Sequence, residues 1–348
     1  MSAAPDEAGG ATALRTPRAG LPARRSPAAL RHSPVAVVAG LVIVLLAVNL
    51  GLTPSMLGGR QLPDTLNLLV PSVLVAMASV PSVMSGRGGI DLSVGPLLGF
   101  VNVVVVAVLL PHHLGGAWAA LPIALGIGAG VGLVNGAVVA YGRLQPVVVT
   151  LGSYLVLGGA SLVIMPQPAG ADPSWIAYLS GSWLGGYLPR SVLLVVAGLA
   201  IWALLRWRGA IALILATGSE DRAAYTSGVR TGRVLCLAYA VGGLFAGLAG
   251  LGLGVLIQSG DPSVGTQYTL PAVAAVALGG NVLGGGRGTL TGPILGAVSL
   301  FLIQTLLSGA RVSSLWIQVV YGVVLLAALA VNSSLATRLR GRQVVEAL

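Results

Sequence analysis

Runs of about 20 apolar residues recur along almost the whole chain, and this pattern limits the possible folds more than any other feature. A run of that length can cross the hydrocarbon core of a membrane as one helix. Only 8% of the residues are charged, whereas soluble domains carry about a quarter. Such a chain could not cover its apolar surface in water. The sequence therefore predicts an all-α, polytopic membrane protein.

Hydropathy windows of about 20 residues predict ten transmembrane spans. They lie near 34–53, 66–85, 94–111, 117–141, 146–165, 191–205, 234–257, 269–283, 290–307 and 313–332. The spans near 191 and 269 are short, so nine or eleven crossings are alternatives. The predicted organisation is a transmembrane domain over 34–332, between a disordered tail over 1–33 and a second tail over 333–348.

All 19 basic residues are arginines, and their positions predict the orientation of the chain. If the N-terminus is cytoplasmic, ten spans place Arg60, Arg190 and Arg311 outside and every other arginine inside. Because positively charged loops stay in the cytoplasm, this asymmetry supports both the span count and two cytoplasmic termini. The net charge of +10 is thus explained by orientation rather than by nucleic acid binding. The absence of lysine excludes a GxxxxGK[ST] phosphate loop.

The segment GRGGIDLSVGPLLGF, residues 86–100, places Asp91 between long apolar runs in a chain with nine acidic residues. A carboxylate at the centre of a bilayer costs about 3 kcal/mol. Asp91 therefore caps the next helix, pairs with an arginine such as Arg87 or Arg287, or lines a substrate path. The capping role is preferred, because local hydrogen bonding explains the carboxylate without any ligand.

An internal repeat is predicted from the alignment of Gly88–Gly99 with Gly285–Gly296, which gives six identities at an offset of 197 residues. The same offset carries the second, third and fourth predicted spans onto the eighth, ninth and tenth, with the same orientation. Parallel repeats of this kind build transport pathways. Both copies place a Gly-rich segment before a Gly-Pro step, a composition that favours broken helices covered by protein or lining a cavity.

The largest predicted cytoplasmic loop spans 206–233 and contains the signals of a short helix. Thr217 or Ser219 can cap this helix, Glu220 and Asp221 then lie in its first turn, and Gly228 suits its end. The predicted helix has about nine residues. A solvated connector is the alternative interpretation.

Three glycine-bearing stretches resemble the permease subunits of bacterial ABC importers for ribose, xylose and related sugars. The resemblance covers residues from about 60 to 332, and the chain departs from the family at Ser219, Glu220 and Pro96. The departures concern the details of the coupling loop and of one helix start. The matching stretches are Gly88–Gly95, Ala216–Gly218 with Ala223, Ala224, Ser227 and Gly228, and Gly279–Gly280 with Gly284–Gly288.

The resemblance implies a transport subunit of the bacterial inner membrane that performs no covalent chemistry and needs no cofactor. It implies as partners two ABC ATPase subunits, a periplasmic sugar-binding protein, a second permease copy and membrane lipid. The short helix of the central loop would dock on an ATPase subunit. The predicted coupling residues are Ser219, Glu220, Asp221, Ala223, Ala224, Ser227 and Gly228.

Polar side chains within the spans are the candidates for a substrate path, because buried amides and hydroxyls in a bilayer need partners. Each would serve equally well in contacts between helices. The candidates are Asp91, Ser93, Asn102, Asn135, Asn281 and Gln304, followed by Asn67, Thr150 and Ser153.

Two other functions fit the same sequence. The first keeps the ABC architecture but imports branched-chain amino acids or nucleosides. The second is a secondary transporter driven by an ion gradient, which needs ionisable groups inside the membrane. Asp91 is the strongest candidate for such a coupling group, because Asp64 and Asp261 lie in predicted outer loops.

Overall fold

The computed structural model describes residues 34–54, 58, 61–170, 174–313, 315–328 and 330. The predicted tails over 1–33 and 333–348 lie outside the described residues, so the tail boundaries stay predictions. Almost all regular structure in the described part of the chain is helical.

The helices are α1 (Pro34–Leu52), α2 (Leu62–Met84), α3 (Val94–Val103), α4 (Ala117–Tyr141), α5 (Pro146–Ile164), α6 (Ser174–Ser180), α7 (Val192–Trp207), α8 (Ala210–Ser219), α9 (Asp221–Thr226), α10 (Thr231–Ile257), α11 (Thr269–Leu278), α12 (Thr291–Gly309) and α13 (Leu315–Ala328). A π-helix over Val104–Leu109 extends α3, and 3-10 turns cover Leu184–Gly186 and Gly265–Tyr268. Four short strands are β1 (Ala169–Gly170), β2 (Ser182–Trp183), β3 (Leu188–Pro189) and β4 (Ser259–Gly260). β1 pairs antiparallel with β4, and β2 with β3.

Six helices among the described residues are long and apolar enough to cross a membrane, or seven if the bent pair α7 and α8 forms one span. The six are α1, α2, α4, α5, α10 and α12. This confirms an all-α protein with several apolar spans. The predicted spans near 94–111, 269–283 and 313–332 contain shorter helices, so the count of ten crossings stays a prediction.

The centre of the bundle is formed by α10 and α2, whose most apolar windows are 78% and 72% buried, against 11% for α1. α10 packs closely against α4 through glycines. A Cβ added at Gly128 would lie 2.1 Å from the Gly243 carbonyl oxygen, and one at Gly132 would lie 2.1 Å from the Tyr239 oxygen. Small residues at these crossings therefore allow the two backbones to touch, as in other membrane helix pairs.

The connections between helices lie at two ends of the bundle. We call residues 84–93, 142–145, 206–230 and 279–290 the arginine-rich end. Its parts touch: the Gly286 N–H donates to the Met84 oxygen at 3.0 Å, and α4 meets the start of α10 where a Cβ at Gly232 would lie 3.2 Å from the Tyr141 ring. At the opposite end, β1 pairs with β4 and the Trp175 Nε1–H donates to the Gly115 oxygen at 2.6 Å.

The segment predicted as a loop over 206–233 is largely helical. After α7 the chain bends by 73° at Gly209, whose φ is +78°, and continues as α8. Arg206 and Arg208 interrupt the hydropathy signal, but a second helix, α8, forms beyond the bend and buries Ile211 and Ile214 in the core.

The predicted nine-residue helix of this segment is wrong in its start and its length. Thr217 and Ser219 belong to α8 and do not cap the following helix. The short helix is α9, which has six residues and begins after Glu220, a residue with extended backbone at φ −157°. Because Ser and Thr also occur within helices, the capping signal did not locate the break between α8 and α9.

Candidate coupling and transport site

Three glycine-bearing segments meet at the arginine-rich end: the turn after α2, the end of α8, and the connection between α11 and α12. A Cβ at Gly86 would lie 2.9 Å from the Gly218 Cα, and one at Gly285 would lie 2.2 Å from the Gly86 Cα. We call Gly86, Gly218, Gly285 and Gly286 the glycine junction. Only residues without a side chain allow three backbones to approach this closely. Two of the stretches from which the sequence resemblance was drawn thus meet in space, together with Gly86, which lies two residues before the third stretch.

An ion pair joins the turn after α2 to the short helix α9. Arg87, whose φ is +57°, pairs with Asp221, the first residue of α9. The two side chains are 41% and 34% exposed, so water screens the pair and its contribution to stability is at most about 1 kcal/mol. The second Asp221 oxygen is buried and has no hydrogen-bond partner among the described residues. Arg87 thus pairs with Asp221, not with Asp91.

The helix α9 is attached to the protein by one face and exposed on the other. Ala224 is buried, whereas the Tyr225 side chain is 70% exposed. The helix ends at Gly228, whose φ is +88°. There the Val229 N–H donates to the Ala224 oxygen at 3.1 Å and the Gly228 N–H to the Tyr225 oxygen at 3.0 Å, which is the Schellman arrangement. Gly228 therefore ends the helix, as the sequence predicts.

Asp91 begins a chain of buried hydrogen bonds that crosses three helices. The Ser93 N–H and hydroxyl both donate to Asp91 Oδ1, at 2.9 and 2.6 Å. The Asn135 amide of α4 donates to the Ser93 oxygen at 3.0 Å, and the Ser153 hydroxyl of α5 donates to Asn135 Oδ1. Asp91 lies in the turn before α3, where burial raises the pKa of its carboxyl while the hydrogen bonds from Ser93 oppose that shift.

Thr150 fixes the start of α5 to the same turn. Its hydroxyl oxygen accepts from the Leu92 N–H at 3.1 Å and lies 3.3 Å from the Ile90 carbonyl oxygen. The Tyr239 hydroxyl of α10 is buried without a hydrogen-bond partner in the described part of the chain. We call Asp91, Ser93, Asn135, Thr150 and Ser153 the buried polar network. It joins α3, α4 and α5 beside the arginine-rich end.

The other predicted path residues lie apart from this network. Asn102 donates to the Ser259 oxygen and accepts from the Asp261 N–H, both at 3.0 Å, so its amide holds the backbone after α10. Asn281 forms the same pair of bonds with Thr289, at 3.0 and 2.9 Å, and closes the glycine-rich connection between α11 and α12. The Gln304 oxygen accepts from the Tyr321 hydroxyl at 2.7 Å.

A second copy of the Asp91 turn follows α10. The sequence Asp261–Gly265 repeats the D-x-S-V-G pattern of Asp91–Gly95, and the Ser263 N–H and hydroxyl donate to Asp261 Oδ1 at 2.8 and 2.6 Å. The glycines that end the two copies are in contact, since a Cβ at Gly95 would lie 2.7 Å from the Gly265 carbonyl oxygen. This repeat of D-x-S-V-G is visible in the sequence at an offset of 170 residues. The alignment at an offset of 197 residues did not reveal it.

The chain between α10 and α11 has no long helix. Residues 258–268 contain β4 and one 3-10 turn, and α11 then has only ten residues. Gly265 is buried against α3. Irregular backbone at membrane depth requires cover by protein or water, and Asn102 supplies part of that cover through its two bonds to this segment.

Comparisons with known proteins show the family to which the chain is similar. The family described as branched-chain amino acid transport system / permease component matches residues 64–329. The ribose import permease protein RbsC of Escherichia coli (strain K12) is 32% identical, with 84% of this chain and 91% of that protein covered. RbsC of Bacillus subtilis (strain 168) is 31% identical, with 83% and 89% covered.

The galactose/methyl galactoside import permease protein MglC of Escherichia coli (strain K12) is 28% identical, with 84% of this chain and 92% of that protein covered. No solved structure matches the chain. The family match extends over most of the chain, and the similarity to the permeases covers nearly their whole length. The chain therefore belongs to the family of branched-chain amino acid transport system permease components.

Proposed function

We propose that this chain is the transmembrane permease subunit of an ATP-driven ABC importer that carries a monosaccharide across the bacterial inner membrane. The observation that carries this proposal is the similarity to ribose import permeases, at 32% identity over 84% of the chain. Similarity to a galactose/methyl galactoside import permease supports the same class of cargo. In the proposed importer, separate ABC ATPase subunits hydrolyse ATP, and a periplasmic sugar-binding protein delivers the cargo.

The proposed docking surface for the ATPase subunit is α9 with its flanking residues Ser219–Gly228. This surface is exposed at Tyr225 and is attached to two other parts of the protein. Arg87 connects it to the turn before α3, and the Ser219 hydroxyl lies 3.2 Å from the Gly286 oxygen in the connection before α12. If α9 moves, the turn before α3 and the connection before α12 would therefore move with it as one rigid body.

The proposal includes ten crossings with both termini in the cytoplasm. Three observations support it: α3 with its π-helical extension, α11 and α13 lie where the additional spans are predicted. Residues 258–268 precede α11 and would form the outer part of the same crossing, because α3 covers part of this irregular segment. The arginine-rich end would then face the cytoplasm, as the distribution of positive charge favours.

The proposal also includes the parallel repeat and a second permease copy. α3 begins at Val94 and α12 at Thr291, which are 197 residues apart. Gly88 and Gly285, at the same offset, both have positive φ, +68° and +92°. A second copy, identical or paralogous, would complete the path and accept the second ATPase subunit. Exposed apolar side chains on α1 and α5 provide surfaces for lipid or for that copy.

A second candidate cargo is a branched-chain amino acid, because the description of the matching family names that substrate. The architecture would be the same. The similar permeases named above are sugar importers, so the monosaccharide is the preferred cargo.

Reconstitution with the proposed partner ATPase and periplasmic binding protein tests the proposal. We expect ATP-dependent uptake of a radiolabelled monosaccharide into vesicles, and binding of that sugar, but not of leucine, to the binding protein. Leucine binding without sugar binding would favour the second cargo. Uptake driven by an ion gradient without the ATPase would contradict the ABC mechanism.

A further inference from the structure

A cavity of about 310 Å³ with a mixed polar and apolar lining opens at the end of the bundle opposite the arginine-rich end. The first turn of α2, the end of α6 and the C-terminal end of α10 enclose it. Its polar lining consists of Asp64, Asn67, Ser180 and Gln258, and Val255 and Leu256 contribute apolar surface. In the proposed topology this end faces the periplasm, where cargo arrives. The volume is at the lower end of the range for small-molecule sites.

The hydrogen bonds around the cavity leave a defined set of donors and acceptors free. Asn67 Oδ1 accepts from the Ser191 hydroxyl, which orients the amide and leaves both Asn67 N–H groups available. The Ser180 hydroxyl donates to the Ala177 oxygen at 2.9 Å, so its oxygen is free to accept. Among the described residues, the side chains of Asp64 and Gln258 have no hydrogen-bond partner.

Gln258 is held at the cavity by its backbone. It ends α10 in a left-handed conformation with φ +49°, which is uncommon for a residue other than glycine. Its N–H donates to the Gly254 oxygen at 2.9 Å. Side chains kept in such conformations are concentrated at functional sites.

We infer that this cavity is an outer binding site for a neutral polyhydroxylated molecule of monosaccharide size. The inference rests on the proposed function and deepens it. Neighbouring hydroxyl groups of a sugar both donate and accept hydrogen bonds. The carboxylate, the two amides and the serine oxygen of the cavity can pair with such groups, and the aliphatic side chains can contact the C–H groups of the ring. An anionic cargo would be repelled by Asp64.

A zwitterionic amino acid fits this cavity less well, because its carboxylate would need a cationic partner. No arginine or histidine is among the described residues that line the cavity. Arg190, the neighbour of Ser191, does not line the cavity: its guanidinium lies 4.3 Å from the centre of the Tyr178 ring and donates to the Tyr178 oxygen at 3.1 Å, and its Nε–H is buried without a partner among the described residues. The cavity therefore favours a sugar over the second candidate cargo.

Saturation-transfer NMR on the full-length permease, assembled with its ATPase subunits in phosphatidylcholine nanodiscs, tests the inference. We expect D-ribose or D-galactose, but not L-leucine, to receive saturation from the protein. Gln258→Leu and Asp64→Asn should each raise the Kd for the sugar about tenfold, since each removes or weakens hydrogen bonds. Gln267→Leu is the matched control, because Gln267 lies in the same segment but does not line the cavity.

The outcomes separate this inference from the proposed function. Thermal unfolding of each variant shows whether it is folded, and ATP-driven sugar uptake is measured in parallel. If wild-type protein imports a sugar but neither cavity variant changes sugar binding, the cavity inference is overturned and the proposed function stands. If no monosaccharide is imported, the proposed function itself fails. Displacement of the sugar by phosphatidylglycerol, whose headgroup is also a polyol, would identify a lipid site and overturn the inference.

Discussion

At the scale of single residues, the chain uses one local turn in two different environments. The preferred prediction, that Asp91 caps α3, is wrong in position, because the N-cap residue is Ser93 and no side chain caps this helix. The hydrogen bonding of Asp91 is nevertheless local, since D-x-S is a pattern in which an aspartate accepts from the backbone two residues later. The sequence did not predict that Asn135 and Ser153 extend this bonding across α4 and α5. That contact depends on how the helices are rotated against one another, which residue types alone do not specify.

The two turns offer a matched pair of substitutions. Asp91→Ala would leave the Ser93 N–H without its partner in a buried site, so we expect the free energy of unfolding to fall by about 2 kcal/mol. Asp91→Asn keeps a carbonyl acceptor and should retain part of the stability and of the transport. Asp261→Ala removes the same bonds beside β4, at the outer end of segment 258–268, where these bonds are exposed and water can replace them, so it should cost less.

Unfolding in detergent, followed by temperature or denaturant, measures all three variants under the same conditions. Sugar uptake by the reconstituted importer is the second readout. If Asp91→Ala were as stable and as active as the wild type, the buried carboxylate would be dispensable. An equal loss in Asp91→Ala and Asp261→Ala would mean that burial does not determine the cost.

At the scale of secondary-structure elements, hydropathy located helices well but did not show where they bend. Each predicted span contains a helix, because an apolar run long enough for the membrane also packs into the core. The break at Gly209, the helix α8 beyond it and the six residues of α9 were not predicted. Arg206 and Arg208 end the hydropathy signal where α7 itself ends, but they do not show that a second apolar helix, α8, follows the break.

The ion pair between Arg87 and Asp221 makes a prediction about coupling. If it passes movement from α9 to the turn before α3, Arg87→Asp or Asp221→Arg should lower the sugar transported per ATP hydrolysed by about fivefold, the equivalent of about 1 kcal/mol. The double variant with exchanged charges should recover most of this ratio. Membrane insertion of all three should be normal, because the pair is partly exposed.

Arg143→Asp is the control for this experiment. Arg143 also lies at the arginine-rich end with a positive φ of +54°, but the described residues form no ion pair with it. Its substitution should leave the ratio of transport to ATP hydrolysis near that of the wild type. If the exchanged pair performs no better than the single variants, Arg87 and Asp221 do not act as a unit.

At the scale of the whole molecule, the class of protein follows from the sequence more directly than the path of the chain. Low charge and repeated apolar runs specify a helical membrane protein, and the family is confirmed by similarity over most of the chain. The number of crossings depends on segments such as 258–278, where a short helix follows irregular backbone. Hydropathy measures how apolar a segment is, but it does not tell how far the segment extends through the membrane.

The proposed topology predicts which cysteines an impermeant maleimide can reach. In a Cys236→Ala background, the exposed Tyr187 between α6 and α7 and the exposed Tyr225 of α9 are each replaced by cysteine. In right-side-out vesicles Tyr187→Cys should be labelled at once, because an odd number of crossings separates it from the cytoplasmic N-terminus. Tyr225→Cys should react only after permeabilisation, as should a cysteine added after Leu348. Labelling of Tyr225→Cys from outside would place α9 in the periplasm, where no ATPase subunit could reach it, and the coupling proposal would fail.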